Sequence, residues 1–114
     1  GDSMPVARPD QSMAEVLPEM TAKSLGCVGI VGTDGKLAGI VTDGDLRRHM
    51  GDDLLRRRVG DIMTKNPRTI RPTALASEAV SVMNEMKITA LFVAEKGRAV
   101  GLIHIHDCLR AGVA

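Results

Sequence analysis

The residues of this chain best suited to chemistry lie in the stretch Gly39-Ile-Val-Thr-Asp-Gly-Asp-Leu-Arg-Arg48, where an apolar run gives way to small, hydroxyl-bearing and acidic residues. A strand that feeds a helix through such residues brings free backbone N–H groups to its end. The positive end of the helix dipole then favours an anion such as phosphate. Thr42 offers a hydroxyl donor to that anion, Asp43 sits beside it, and Asp45 is placed to accept from a pair of sugar hydroxyls. The same spacing serves a purely structural purpose, with Thr42 or Asp43 as the helix N-cap and Asp45 complementing the dipole. Spacing alone leaves both readings open.

A second cluster, His104-Ile-His106-Asp107, stands near the end of the chain. A neutral imidazole donates one N–H, and a protonated one adds a charge that suits a carboxylate or phosphate. Two histidines beside an aspartate also resemble metal ligands. A metal site needs at least three convergent ligands, however, and His49 belongs to the other half of the sequence, so no metal is expected. Anion or sugar recognition is the preferred role, with a structural cap as the alternative.

Both clusters belong to an internal repeat. Gly35, Gly39, Asp45 and Arg48 recur 62 residues later as Gly97, Gly101, Asp107 and Arg110. Earlier in each copy the offset is 63, matching Arg8, Pro9, Glu15 and Met20 with Arg71, Pro72, Glu78 and Met83. Pairing Ile30 and Val31 with Phe92 and Val93 puts one extra residue of the first copy between Met20 and Ile30. The copies run roughly over 4–49 and 67–112, joined by 50–66.

The elements that must position the clusters follow from periodicity. Residues 12–24 carry Met13, Val16, Leu17 and Met20 at helical spacing, and residues 75–87 carry Leu75, Ala79, Val82, Met83 and Met86. Pro18 removes a hydrogen bond within the first of these, so that helix is expected to start late or to kink. Apolar runs at 28–31 and 37–41 flank Thr33-Asp34-Gly35-Lys36, and runs at 91–94 and 99–103 flank Glu95-Lys96-Gly97-Arg98, both hairpin signals. Second helices are expected from Asp43 to about Met50 and from His106 to about Ala111. Each copy is therefore β-α-β-β-α, an α+β (α/β) unit of about 50 residues, too small to be stable alone. The two are expected to pack sheet to sheet with pseudo-twofold symmetry.

Composition limits the partners. With 114 residues, one Phe, no Trp or Tyr, and 15 Lys+Arg against 14 Asp+Glu, the chain has neither the aromatic platforms nor the basic excess of a nucleic-acid binder. The longest uncharged apolar stretch, 25–32, is less than half of what a bilayer requires, so a cytoplasmic protein without membrane contact is expected. Cys27 and Cys108 sit among apolar neighbours and read as buried thiols rather than a disulfide. Arg56-Arg57-Arg58 reads as a solvated helix face or as a contact for another domain, and the seven Met residues as core filler.

Gly39-x-x-Thr42-x-x-Asp45 at the end of a duplicated β-α-β-β-α unit resembles the paired CBS (cystathionine β-synthase type) motifs of a Bateman module. More specifically, the strings Leu37-Ala-Gly-Ile-Val-Thr-Asp-Gly-Asp-Leu-Arg-Arg48, Val59-Gly-Asp-Ile-Met-Thr64, Lys87-Ile-Thr-Ala-Leu91 and His104-Ile-His-Asp-Cys-Leu-Arg-Ala-Gly-Val113 resemble the C-terminal half of bacterial D-arabinose-5-phosphate isomerases. The resemblance implies two CBS repeats, 1–52 and 53–114, that form one pair with a pseudo-twofold axis and no catalytic residues. The sugar-isomerase (SIS) domain of that family is missing, so the chain is expected to be a regulatory fragment rather than an enzyme. The resemblance further implies a nucleotide between the repeats, held by Thr42, Asp43 and Asp45 of the first. In the second, where His104 and His106 replace Thr42 and Gly44, Asp107 remains. The corners Leu25-Gly26-Cys27 and Lys87-Ile88-Thr89-Ala90 would line the cleft and read a base through backbone groups.

Arabinose 5-phosphate starts the route to Kdo, the acidic sugar of Gram-negative lipopolysaccharide, so the activated end product CMP-Kdo is the expected feedback ligand, with an adenine nucleotide as the other choice. The implied partners are the protein's own SIS domain and further copies, a dimer of CBS pairs within a tetramer. The competing reading is an oligomerisation module that senses no small molecule.

Overall fold

A computed structural model of the chain describes residues 4–23 and 26–110. By contact, they divide into a first unit of residues 5–67 and a second of residues 68–110, which Met4 joins.

The first unit begins with β1 (Val6–Ala7) and α1 (Met13–Lys23). Helix α1 starts upstream of Pro18, contrary to the expected late start. Ser12 and Glu15 form a reciprocal cap, in which the Ser12 amide donates to Glu15 Oε1 at 3.0 Å and the Glu15 amide donates to Ser12 Oγ at 3.3 Å. Pro18 faces solvent, so the Ala14 carbonyl that loses its donor is left on the wet side. Strands β2 (Cys27–Val31) and β3 (Leu37–Thr42) form the hairpin, and α2 (Asp43–Arg48) follows directly. A 3₁₀ turn (Leu54–Arg56), α3 (Val59–Ile62) and β4 (Thr64–Lys65) complete the unit. The sheet order is β1-β2-β3-β4, with β1 parallel to β2 and the other pairs antiparallel. One core holds Met13, Val16 and Met20 of α1, Val28 and Ile30 of β2, Val41, and Val59 and Ile62 of α3. The segment after residue 52 thus builds the first core, so contact places the division between Pro67 and Arg68.

The second unit repeats the plan with β5 (Thr69–Ile70), α4 (Ala76–Met86), β6 (Ala90–Glu95), β7 (Arg98–His104) and α5 (Ile105–Arg110). Its sheet order is β5-β6-β7, and its core gathers Ile70, Ala79, Val80, Val82, Met83, Leu91 and Cys108. Leu75 and Met86 depart from their expected core placement, being 72% and 44% exposed: Leu75 caps α4 from outside its first turn, and Met86 is its last residue.

Strand register moves the extra residue. Val6 and Ala7 pair with Gly29 and Ile30, and Thr69 and Ile70 pair with Phe92 and Val93, so Ile30 matches Val93 rather than Phe92. The offset of 63 therefore persists through β2 and changes to 62 in the hairpin loop. In the first copy five residues separate the paired Val31 and Leu37; in the second, four separate Ala94 and Ala99. Lys96 and Gly97, at φ 54° and 81°, make the tight two-residue turn that the second hairpin needs. The first uses a wider loop, in which the Asp34 carboxylate accepts from the Lys36 amide at 3.0 Å. Phe92 corresponds to Gly29. It is 2% exposed, but side chains alternate along a strand, so it lies on the face opposite Leu91 and Val93 and outside the cluster beneath α4.

The arginine run is no helix face. The 3₁₀ turn ends at Arg56, and Arg57 and Arg58 are extended; the Arg57 carbonyl accepts from the Met13 amide at 2.9 Å, and Arg58 bridges to Ser12.

Candidate functional site

Each unit has one corner where the first strand of its hairpin starts and the second strand turns into a helix. In the first unit, Cys27 pairs with Thr42, and the Asp43 amide donates to the Gly26 carbonyl at 3.3 Å. In the second, Ala90 pairs with His104, and the Ile105 amide donates to the Thr89 carbonyl at 2.8 Å. Gly26, Cys27, Thr42 and Asp43 thus converge at one corner, and Thr89, Ala90, His104 and His106 at the other. Lys87 lies two residues ahead of Thr89 and caps α4 in the left-handed region (φ 59°, ψ 44°). Leu25 lies outside the described residues.

The first corner is locked by Asp45, which is 1% exposed. A buried carboxylate is costly unless donors surround it, and the sequence supplies them. Its Oδ2 accepts from the Thr42 amide at 2.9 Å and the Thr42 hydroxyl at 3.2 Å. Its Oδ1 accepts from the Thr64 hydroxyl at 2.7 Å and from Arg48. The Asp45 amide in turn donates to Thr42 Oγ1 at 3.2 Å, closing a capping box. Thr42 and Asp45 are therefore spent on each other and on β4, while Asp43 remains exposed. Burial, with the Asp43 carboxylate adding to it, pushes the Cys27 thiol up to about 11. It is a neutral thiol at physiological pH.

The second corner is open. Asp107 is exposed, and its Oδ2 accepts from the His104 amide at 3.3 Å. The His106 amide donates to His104 Nδ1 at 3.2 Å, which assigns the proton of the neutral His104 ring to Nε2. The two imidazoles stack with centroids 4.7 Å apart, His106 and Lys87 exposed and His104 half-buried. Among the described residues no three His, Cys, Asp or Glu side chains converge as a metal site would require. Cys27 and Cys108 are buried free thiols.

Arg48 and Thr64 went unrecognised in the sequence as partners of Asp45. Arg48 carried a signal, standing three residues beyond Asp45 on the same short helix. Thr64, 19 residues away, carried none.

The family model for the CBS domain matches residues 2–52 and again 59–114. Arabinose 5-phosphate isomerase KdsD of Yersinia pestis is 43% identical over 115 residues, covering 99% of this chain and 35% of that protein. The chain thus spans about a third of the length of such relatives. Among solved structures, the CBS-domain protein ATU1752 of Agrobacterium tumefaciens superposes with a TM-score of 0.84 at 27% identity, covering 96% of this chain and 84% of the other. CBSX2, solved in complex with AMP, has the same fold, with a TM-score of 0.81 at 23% identity over 97% of this chain and 88% of its own. No helix among the described residues is long and apolar enough to cross a membrane.

Proposed function

The chain belongs to the CBS-domain family as a tandem pair, and from that premise we propose that it is the ligand-sensing regulatory part of a D-arabinose-5-phosphate isomerase. Both matches to the family model lie within the 114 residues and leave only 53–58 between them, so the isomerase chemistry belongs to a partner SIS domain. The ligand is a nucleotide or nucleotide-sugar, and the proposed one is CMP-Kdo acting by feedback.

The observation that carries this reading is the contrast between the corners. Asp45 and Thr42 hold the first together, so polar recognition falls to the second. There His104 Nε2–H, the His106 ring, the Lys87 ammonium and the Thr89 hydroxyl suit a phosphate and an acidic sugar. In that second corner Asp107 orients the His104 backbone. The fold holds AMP in CBSX2, so an adenine nucleotide is the competing ligand.

Titration calorimetry with CMP-Kdo, CMP, AMP and ATP tests this. Heat is expected with CMP-Kdo, and is expected to fall at least tenfold in affinity, about 1.4 kcal/mol, in His104→Ala with folding stability unchanged. Silence with CMP-Kdo sinks that ligand, and heat with AMP or ATP alone transfers the site to an adenine nucleotide.

A second reading has its own observation. Leu75 and Met86, 11 residues apart and hence on one side of α4, are both exposed. Exposed apolar side chains at the two ends of α4 are what docking between copies would cover. Loss of the oligomer with an unchanged ligand response, on replacing both by Ser, would favour assembly as the main role.

A further inference from the structure

The two corners differ in the atom that caps their helix. In the first, Thr42 Oγ1 accepts from the Asp45 amide at 3.2 Å, and the Asp45 carboxylate accepts from the Thr42 amide at 2.9 Å. In the second, the Asp107 carboxylate accepts from the equivalent amide, that of His104, at 3.3 Å. The place of the hydroxyl, however, is taken by an imidazole, whose Nδ1 accepts from the His106 amide at 3.2 Å. The caps thus follow one plan with different acceptors. A hydroxyl oxygen can accept at any pH at which the protein folds. An imidazole nitrogen cannot, because both ring nitrogens are donors once the ring is protonated, and Nδ1–H would then face the N–H of His106.

The neighbouring ring adds to this contrast. His106 stacks on His104 with centroids 4.7 Å apart and planes 24° from parallel, so protons on both rings set two cations face to face. Helix α5 packs against α4 and β7. Of the charged groups these elements carry, Lys87 at the end of α4 opposes a further positive charge at the corner, and Asp107 on α5 itself favours one. Glu78 lies in the first turn of α4, Glu85 pairs with Arg68 at 3.6 Å, and Glu95 and Arg98 lie at the far end of the β6–β7 hairpin.

We infer that His104 makes the first turn of α5 a pH-sensitive switch, capped while its ring is neutral and uncapped once the ring is protonated. The cap is present above the range in which imidazoles take up a proton, about pH 6.5, and is lost as pH falls through it. Thr42 gives the first unit no such response. The consequence for a ligand rests on the ligand-sensing reading. An anion at this corner meets a neutral ring with one N–H at high pH and a charged ring with two N–H groups at low pH, so it binds more tightly as pH falls. The switch itself needs no ligand.

Water-exchange NMR of the His106 amide, normalised for the intrinsic pH dependence of exchange, tests the switch on the ligand-free 114-residue chain. Protection of that amide is expected to fall about tenfold from roughly pH 8 to roughly pH 5, while Leu91 in the core of the unit stays protected. His104→Thr is expected to cap the Asp107 amide instead, as Thr42 caps Asp45, with level protection over the same range. His104→Asn, whose side-chain oxygen also caps without titrating, is expected to stay level too. His106→Gln removes the facing ring but leaves Nδ1 of His104 in place, and the amide of position 106 is expected to keep the fall. A level response in the unsubstituted chain overturns the inference, as does a fall that persists in both His104 variants. Loss of protection at Leu91 together with His106 assigns the change to unfolding of the whole unit, and overturns it as well.

Discussion

Thr42 and Asp45 of the first unit and His104 and Asp107 of the second occupy equivalent turns from strand to helix, yet they do opposite things. The first pair is packed under β4 and braced by Arg48 and Thr64, so that a carboxylate is buried with donors on both oxygens. The second has the same backbone course, with the aspartate exposed and the imidazoles of His104 and His106 stacked on each other. Duplication of a unit therefore does not duplicate a site. What covers the corner decides whether its polar groups are spent inside the protein or left for a ligand.

The largest test of that contrast is removal of the aspartates. Asp45→Ala leaves the Thr42 amide and the Thr64 hydroxyl without their acceptor, and is expected to cost about 3 kcal/mol in urea unfolding. Asp107→Ala removes one exposed cap and is expected to cost under about 1 kcal/mol. Equal losses would break the comparison. The paired glycines come next. Gly39→Ala drives a Cβ into Met63 and the Thr64 backbone and is expected to cost about 2 kcal/mol. Gly101→Ala, whose Cβ has Val93 at 3.8 Å, is expected to cost no more than about 0.5 kcal/mol.

Thr64→Val, which keeps shape and deletes the hydroxyl that donates to Asp45 at 2.7 Å, is expected to cost about 1 kcal/mol. In an Asp45→Ala background the same change should cost much less, since its partner is already gone. A pH dependence is also expected at the first corner. The folded Cys27 thiol titrates near 11 against an ordinary value of 9.0, so folding favours its protonated form. Its contribution is complete below pH 9 and is lost as pH rises towards 11, by at most about 1.4 kcal/mol per pH unit. Cys27→Ala should flatten the stability curve over that interval, while Cys108→Ala gives the comparison for the second unit.

Much of this was legible in the sequence because repetition is a strong signal. Gly39, Asp45 and Arg48 recur at one spacing, and the periodic Met13, Val16 and Met20 mark a helix face that proved buried. The errors have physical causes. Phe92 and Ile30 look equivalent because both are apolar and flanked by valine, but strand pairing, a long-range property, aligns Phe92 with Gly29. Of the two outcomes expected at Pro18, the late start does not occur, because the Ser12–Glu15 cap fixes the first turn and the hydrogen bond lost at Pro18 lies on the exposed side. The closed state of Asp45 was illegible because its cover arrives from Thr64, 19 residues on, in a segment that reads as the opening of the second copy.

The most direct test of the division between the corners is a ¹H–¹⁵N NMR titration of the chain with CMP-Kdo and, separately, with AMP. The account predicts that the ligand that binds shifts the amides of Thr89, His104 and His106 most strongly and leaves Asp45 and Thr64 nearly unmoved. Shifts centred on Thr42, Asp45 and Thr64, with the histidine corner silent, would contradict it.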